Sequence, residues 1–144
     1  MDPVNVSDVQ TVSLTSTTSD DAEWVGGFFS YGGQDGTVNS VVISFEIPPG
    51  KRLGRHVDTQ EETQFILAGE GRHVRHSGRQ PIKAGDVIVL PINEAHDLEN
   101  TGDVNLHVIG FFSGPWVEQH WTTERWAPGD TAVTGTPNRG WAPS

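Results

Sequence analysis

The sequence predicts an all-β domain, a sandwich or barrel of short strands. Three observations carry the prediction. No window holds the apolar stripe of an amphipathic helix, which repeats every 3.6 residues. Seventeen Gly and nine Pro among 144 residues recur every few positions and interrupt any long element. Between them lie short runs of β-branched and aromatic residues, each bounded by turn signals.

Taken in order, residues 1–22 are rich in Ser, Thr and Asp. Within them VQTVSL reads as a short edge strand. The remainder reads as an arm, or as a strand added to a partner subunit. WVGGFFSY, at 24–31, sets aromatics around a Gly pair that reads as flexible, and YGGQDG is a turn cluster. Residues 38–47 (VNSVVISFEI) form the clearest β segment, ended by Pro48-Pro49-Gly50. Then RHVD, ETQFIL, RHVRH, DVIVLP, HDLEN and VNLHVIGFF alternate with the turn-like AGEG, SGRQ and TGD. Gly69 and Gly71 allow a tight reversal. Pro91 closes the apolar run before the loop that leads to His96. The tail carries Trp116, Trp121, Trp126 and Trp141 among Pro and Gly. Its pattern is too irregular for an element of its own, so it is expected to wrap the domain, cap its mouth or make a dimer contact. The expected organisation is an arm or edge strand at 1–22, a β domain at 23–112 and a Trp- and Pro-rich segment packing on it at 113–144.

Composition narrows the function. The length suits one domain with a modest core. There is no cysteine, which excludes disulfides, thiolate ligands and a thiol nucleophile. The net charge is -10. Residues 51–83 are locally +3, which leaves -13 elsewhere. Nucleic acid is not an expected partner, because phosphates need a positive surface. The basic stretch suits steering of a small anion. No apolar run approaches the ~20 residues that span a bilayer, and the acidic N-terminus is unlike a signal peptide. A soluble cytoplasmic protein is expected, with no membrane partner.

The chemistry-bearing residues lie in two stretches. His56 and Asp58 are two apart and share a face of a strand. Glu62 joins that face if the intervening turn keeps phase, and Gln64 and Ile66 follow it. His96, Leu98 and Asn100 repeat the phase on a later strand. Imidazoles and carboxylates converging from separate strands make a metal site, and the donor set suits Fe, Mn, Ni, Co or Zn. Two ligand sets are open. In one, His56, Asp58 and His96 form a two-His, one-carboxylate triad. In the other, Glu62 joins His56 and His96, and Asp58 is a fourth ligand, an orienting acceptor or a general base. Gln64 is expected to face the interior and orient substrate or a bound water. His107 is the further acid–base candidate, provided its face of VNLHVIGFF points inward. His73 and His76 point to opposite faces and form no compact pair. Tyr31, Phe28 and the C-terminal tryptophans are candidates to wall an apolar pocket.

These two stretches resemble the paired motifs of the cupin family. Gly50, His56, Asp58, Glu62 and Gly69 keep every spacing of the first motif. Gly85, Pro91, Asn93, His96 and Asn100 keep every spacing of the second. Asp58 stands where the family has its second histidine, and Asn93 where it has glycine. Asn tolerates left-handed backbone, so the second departure is mild. The resemblance implies a jelly-roll β-barrel (double-stranded β-helix). It maps the metal ligands onto His56, Asp58, Glu62 and His96, a set that favours harder, oxygen-preferring ions. It also implies a small-molecule substrate and a homodimer.

The expected activity is a metal-dependent lyase, isomerase or cyclase that enolises a small oxygen-bearing compound, with Asp58 or Glu62 as base. The alternatives are a non-heme iron dioxygenase and a non-enzymatic ligand-binding module. No phosphate-binding loop, nucleophile elbow or HExxH helix is present.

Overall fold

Strand alternation lays the chain out as two six-stranded antiparallel sheets in a computed structural model that describes residues 1–34 and 36–140. The first sheet runs, in spatial order, β1 (Val12–Thr15), β2 (Glu23–Ser30), β3 (Ser40–Ile47), β10 (Leu106–Ser113), β5 (Glu62–Ala68) and β8 (Val87–Leu90). The second runs β12 (Val133–Gly135), β11 (Glu118–Trp121), β4 (His56–Asp58), β9 (His96–Asn100), β6 (Glu70–Arg75) and β7 (Gly78–Lys83). Among the described residues the helical segments are two single 3-10 turns, Val6–Asp8 and Pro137–Arg139. None is long and apolar enough to cross a membrane.

The period of two decides what is buried. Val41, Ile43, Phe45 and Ile47 of β3 face inward, as do Leu106, Val108 and Phe112 of β10. They meet Leu98, Trp121 and Trp126 from the other side of the core. Each such side chain removed from water contributes about 1.5–3 kcal/mol. Trp126 is fully buried, and its ring packs edge-on against Trp121 at 4.9 Å.

The expected jelly-roll β-barrel is corrected here. The described residues form two stacked sheets with four strand edges, at β1, β8, β12 and β7. No ladder joins one sheet to the other to close a curled barrel. The edges themselves explain this. Pro81 in β7 has no N–H to offer a further strand. β1, β8 and β12 have only three or four residues each, too short to curl round and extend a ladder.

Two local expectations change as well. The Gly26–Gly27 pair lies inside β2 and is packed, not flexible. A Cβ on Gly26 would crowd the Trp24 ring, and one on Gly27 would collide with the Gln10 carbonyl. These glycines serve close approach of neighbouring groups. The tail from 113 onward supplies β11 and β12, which extend the second sheet past β4. A four-residue strand is too short to show a period, and β11 is held by pairing on both sides. Trp141 lies outside the described residues.

Arg52 ties the ends of the chain to the middle. Its Nε lies 3.0 Å from Asp21, Nη1 3.2 Å from Asp97 and Nη2 2.6 Å from Glu124. The buried Glu124 also accepts hydroxyl hydrogens from Ser16, Thr18 and Ser19. Asp97 in turn accepts the backbone N–H of Gly54 at 2.8 Å, just ahead of β4.

Candidate metal centre

β4 and β9 are adjacent antiparallel strands, and their register pairs His56 directly with His96. Both imidazoles are 1% exposed, so each polar atom on them needs a partner. Each Nδ1 has one. His56 Nδ1 lies 2.8 Å from the Gly54 carbonyl, and His96 Nδ1 2.9 Å from the Glu94 carbonyl. A carbonyl only accepts, so both Nδ1 atoms carry hydrogen and both Nε2 atoms present lone pairs in the neutral ring. His96 Nε2 has no hydrogen-bond partner. The Trp121 ring covers His56 at 4.4 Å, which holds water off that side.

Asp58 stands between the two rings. Its Oδ1 is 3.6 Å from His56 Nε2 and its Oδ2 is 3.4 Å from His96 Nε2. Neither oxygen receives a hydrogen bond from an N–H or hydroxyl, although the residue is 2% exposed, and among the described residues the one acidic group in reach is the Glu62 carboxyl. Ligand atoms of His56, Asp58 and His96 all lie within 4.8 Å of one another. Two atoms bound to one small cation at about 2.1 Å, at right to tetrahedral angles, sit about 3.0–3.4 Å apart. The observed separations are close to that. A cation would also give the orphaned Asp58 oxygens and His96 Nε2 their missing partner. On that observation the donor set fits a divalent metal ion.

Glu62, at the start of β5 on the facing sheet, brings Oε1 to 4.0 Å from His96 Nε2. Gln64 follows on the same face, and its Nε2 donates to Glu62 Oε1 at 3.0 Å. The Gln64 carbonyl oxygen is buried without a donor. Opposite them β10 carries Gly110, where a Cβ would collide with the Glu62 carboxylate. The glycine makes room for that side chain.

Electrostatics follow from burial. Burial pushes the Asp58 carboxyl up to about 8. Burial, then the neighbouring Asp58 charge, holds Glu62 well above the usual carboxylate range. Burial lowers His96 to about 4. Burial, then the adjacent His96, holds His56 well below the usual imidazole range. Without a cation the cluster is therefore a set of neutral acids and neutral imidazoles. A divalent cation inverts this balance, because it favours the carboxylates and the free Nε2 lone pairs.

The structure brings together His56, Asp58, Glu62, Gln64 and His96. It does not bring His107. Leu106 and Val108 are the inward pair of β10, so His107 lies on the outer face, where its Nε2 is 2.8 Å from Ser44 Oγ. Two residues near the site escaped the sequence reading. His73 of β6 is 4% exposed, with its ring centroid 6.5 Å from that of His96. Its register partner is Leu98, which shares the face of His96. Alternation showed that His73 and His76 diverge, but only the β6–β9 pairing says which points inward. Gln119 of β11 is the register partner of Asp58, and nothing in a four-residue strand announces it. Phe28 and Tyr31 pack against the core and also line a cavity. Trp116 stacks under the Arg139 guanidinium at 4.0 Å.

Residues 43–112 match the family described as the cupin domain. A cupin domain is present. Its centre is a His56–Asp58–His96 triad, with Asp58 in place of the family's second histidine. An oxalate-binding protein of Thermotoga maritima is 40% identical over 65 residues, covering 44% of this chain and 54% of that one. The chain spans about half the length of the curated relatives it matches. Among solved structures, one described as a predicted oxalate decarboxylase from Thermotoga maritima superposes with a TM-score of 0.66. It is 25% identical and covers 78% of this chain and 98% of that one. A polyketide cyclase of Streptomyces resistomycificus superposes with a TM-score of 0.64 at 18% identity, covering 78% of this chain and 79% of that one. The last likeness concerns the fold alone. β1, β2, β11 and β12 lie outside the matched cupin stretch.

Proposed function

We propose that the cupin domain holds a divalent metal ion through His56, Asp58 and His96, with Glu62 close enough to join. On this reading it enolises a small oxygen-bearing organic substrate, as a lyase, isomerase or cyclase. The observation that carries the reading is the group of buried, unpartnered acceptors between the sheets: both Asp58 oxygens, His96 Nε2 and the Gln64 carbonyl. Leaving so many buried lone pairs unsatisfied is costly unless something positive completes them.

The bound ion would polarise a substrate carbonyl and stabilise charge on its oxygen. The chain's own residues then do the rest. Glu62 is the proton acceptor of this reading. Ionised beside the bound ion, its carboxylate can take a proton from the carbon next to the carbonyl and return it at another position. Gln64 fixes one Glu62 oxygen through its amide and leaves the other, beside Gly110, to meet the substrate. Trp121 shields His56 from water. Gly54 and Glu94 fix the imidazole tautomers through their carbonyls.

A second reading has one specific observation in its favour. Two histidines and one aspartate form the donor set associated with non-heme iron oxygenases. Elemental analysis of protein purified without chelator, with oxygen uptake followed during turnover, separates the two. Iron with stoichiometric oxygen uptake favours the oxygenase. Turnover that consumes no oxygen favours the enolising enzyme.

The protein is further proposed to work as a homodimer. Phe65, Leu67, Val87, Val89 and Phe111 are each at least 37% exposed on the outer face of neighbouring strands β5, β8 and β10. A contiguous apolar face of this kind suits a self-complementary contact between two copies.

A further inference from the structure

β1, β2, β3 and β11 line a cavity of about 370 Å³. That lies at the small end of the ~300–1,000 Å³ range typical of ligand pockets. Two register neighbours link it to the cluster, none of whose residues lines it. Its wall residue Gln119 is the register partner of Asp58. Its wall residue Ile43 pairs with Gly110, the glycine that makes room for Glu62. Of its walls, only Ile43 falls within the stretch matched as cupin domain. The cavity is otherwise built by β1, β2, β11 and the loops around them, the parts of the chain that the family match does not cover.

The lining is apolar and neutral. Leu14, Trp24, Phe28 and Ile43 supply the apolar walls, with Gln10, Tyr31, Gln34 and Gln119 as neutral polar groups. No charged side chain lines it among the described residues. The first fifty residues, which contribute most of the walls, contain no Lys, Arg or His. Nothing there would compensate the charge of a carboxylate or phosphate taken out of water. On the opposite side of the sandwich, the opening lined by His73, Arg75 and Gln80 has a different character.

Gln119 is held in one orientation. Trp121 Nε1–H donates to Thr134 Oγ1 at 3.0 Å, and Thr134 donates onward to Gln119 Oε1 at 2.7 Å. An indole nitrogen only donates, so the hydroxyl hydrogen is left for the Gln119 oxygen. The Gln119 amide N–H groups have no acceptor among the described residues and are left to donate into the cavity. A fixed donor beside Asp58 is suited to read a carbonyl oxygen, and more strongly as that oxygen gains charge.

We propose that the substrate is a neutral, largely apolar carbonyl compound that fills this cavity and is held by a hydrogen bond from Gln119 Nε2 to its carbonyl oxygen. A small dicarboxylate does not suit the site. The inference rests on the proposed function for its chemistry, but the cavity itself does not depend on the metal.

The test uses 2′-hydroxyacetophenone, a neutral aromatic ketone with an enolisable methyl group, and oxalate as the contrasting probe. Binding is measured by calorimetry on the chelated and the metal-loaded protein, with metal content determined in parallel. The ketone is expected to bind both forms. Val12→Trp, on the edge strand lining the cavity, should weaken it at least tenfold with metal content unchanged. Gln119→Leu should weaken it roughly tenfold, with Gln119→Asn intermediate. Oxalate is expected to bind more weakly than the ketone. Tighter binding of oxalate, or equal ketone affinity in the wild type and Val12→Trp, would overturn the inference. Val12→Trp carries the test alone if the Gln119 variants do not fold. A protein that holds no metal yet binds the ketone in a Val12-dependent way upholds the cavity and defeats the proposed function. One that holds metal but not the ketone defeats the cavity alone.

Discussion

His56 and His96 face each other as register partners across β4 and β9, with ring centroids 4.3 Å apart and both Nδ1 atoms tied to backbone carbonyls. The backbone thus aims two Nε2 lone pairs toward one carboxylate before any ligand arrives. Pre-orientation of this kind lowers the cost of assembling a metal site.

Asp58 is the donor most exposed to test. Among the described residues, Asp58→Ala removes the only carboxylate that lies within 3.6 Å of both imidazoles. Metal content after purification is expected to fall at least tenfold, by elemental analysis. Glu62→Gln, in contrast, should keep most of the metal and lose most of the activity. Full metal retention in Asp58→Ala would show that the aspartate is not a ligand.

The metal-free protein should lose stability as pH rises. Above about 6.5 the unfolded imidazoles lose their remaining protons, the buried ones are already neutral, and the carboxyls make the larger difference between the two states. Asp58 holds its proton to about pH 8 in the fold, against 3.8 as its ordinary value. The folded state therefore binds the extra proton, and stability falls with pH until that proton is lost. From pH 6.5 to 8 this group lowers stability, and Glu62 acts in the same direction. Metal loading expels these protons, so the thermal midpoint of the loaded protein should be nearly flat over the same interval. A metal-free midpoint that rises from pH 6.5 to 8 would contradict the assignment.

Arg52 should matter to both fold and site. Arg52→Met leaves Glu124 and Asp97 buried without their cation. Breaking such a network costs about 3–5 kcal/mol where burial is complete, and somewhat less here because Arg52 is partly exposed. Asp97 also holds Gly54, whose carbonyl orients His56. Metal affinity is therefore expected to fall together with the denaturation midpoint. A fall in stability with unchanged affinity would separate the clamp from the metal site.

The outer face of the first sheet predicts the assembly. Replacing Phe65 and Val89 together with Lys should turn a dimer into a monomer by light scattering, with metal content preserved. A wild-type protein that is monomeric at micromolar concentration would remove the dimer proposal.

Much of this molecule is written in its alternation. Glu62, Gln64 and Ile66 were placed on one face by period, and all three are buried together. His96, Leu98 and Asn100 repeat that pattern on β9. Asn93 adopts the left-handed backbone its position asks for, with φ of 62°. What alternation does not encode is which face turns inward and which strands pair. For that reason alternation alone neither decides the face of His107 nor marks His73 as an inward residue. The closed barrel failed on a related point, since closure depends on edge strands whose length and proline content act only in three dimensions. β11 was hidden because four residues hold too little pattern, and Gln119 was hidden with it.

The central claim is that His56, Asp58 and His96 share one cation. Titrating the chelated protein with Mn²⁺ by calorimetry at pH 7, beside the His56→Ala and His96→Ala variants, tests it most directly. The account predicts one ion per chain, proton release on binding and loss of at least tenfold in affinity in each variant. Binding that is absent in the wild type, or unchanged when either histidine is removed, would contradict it.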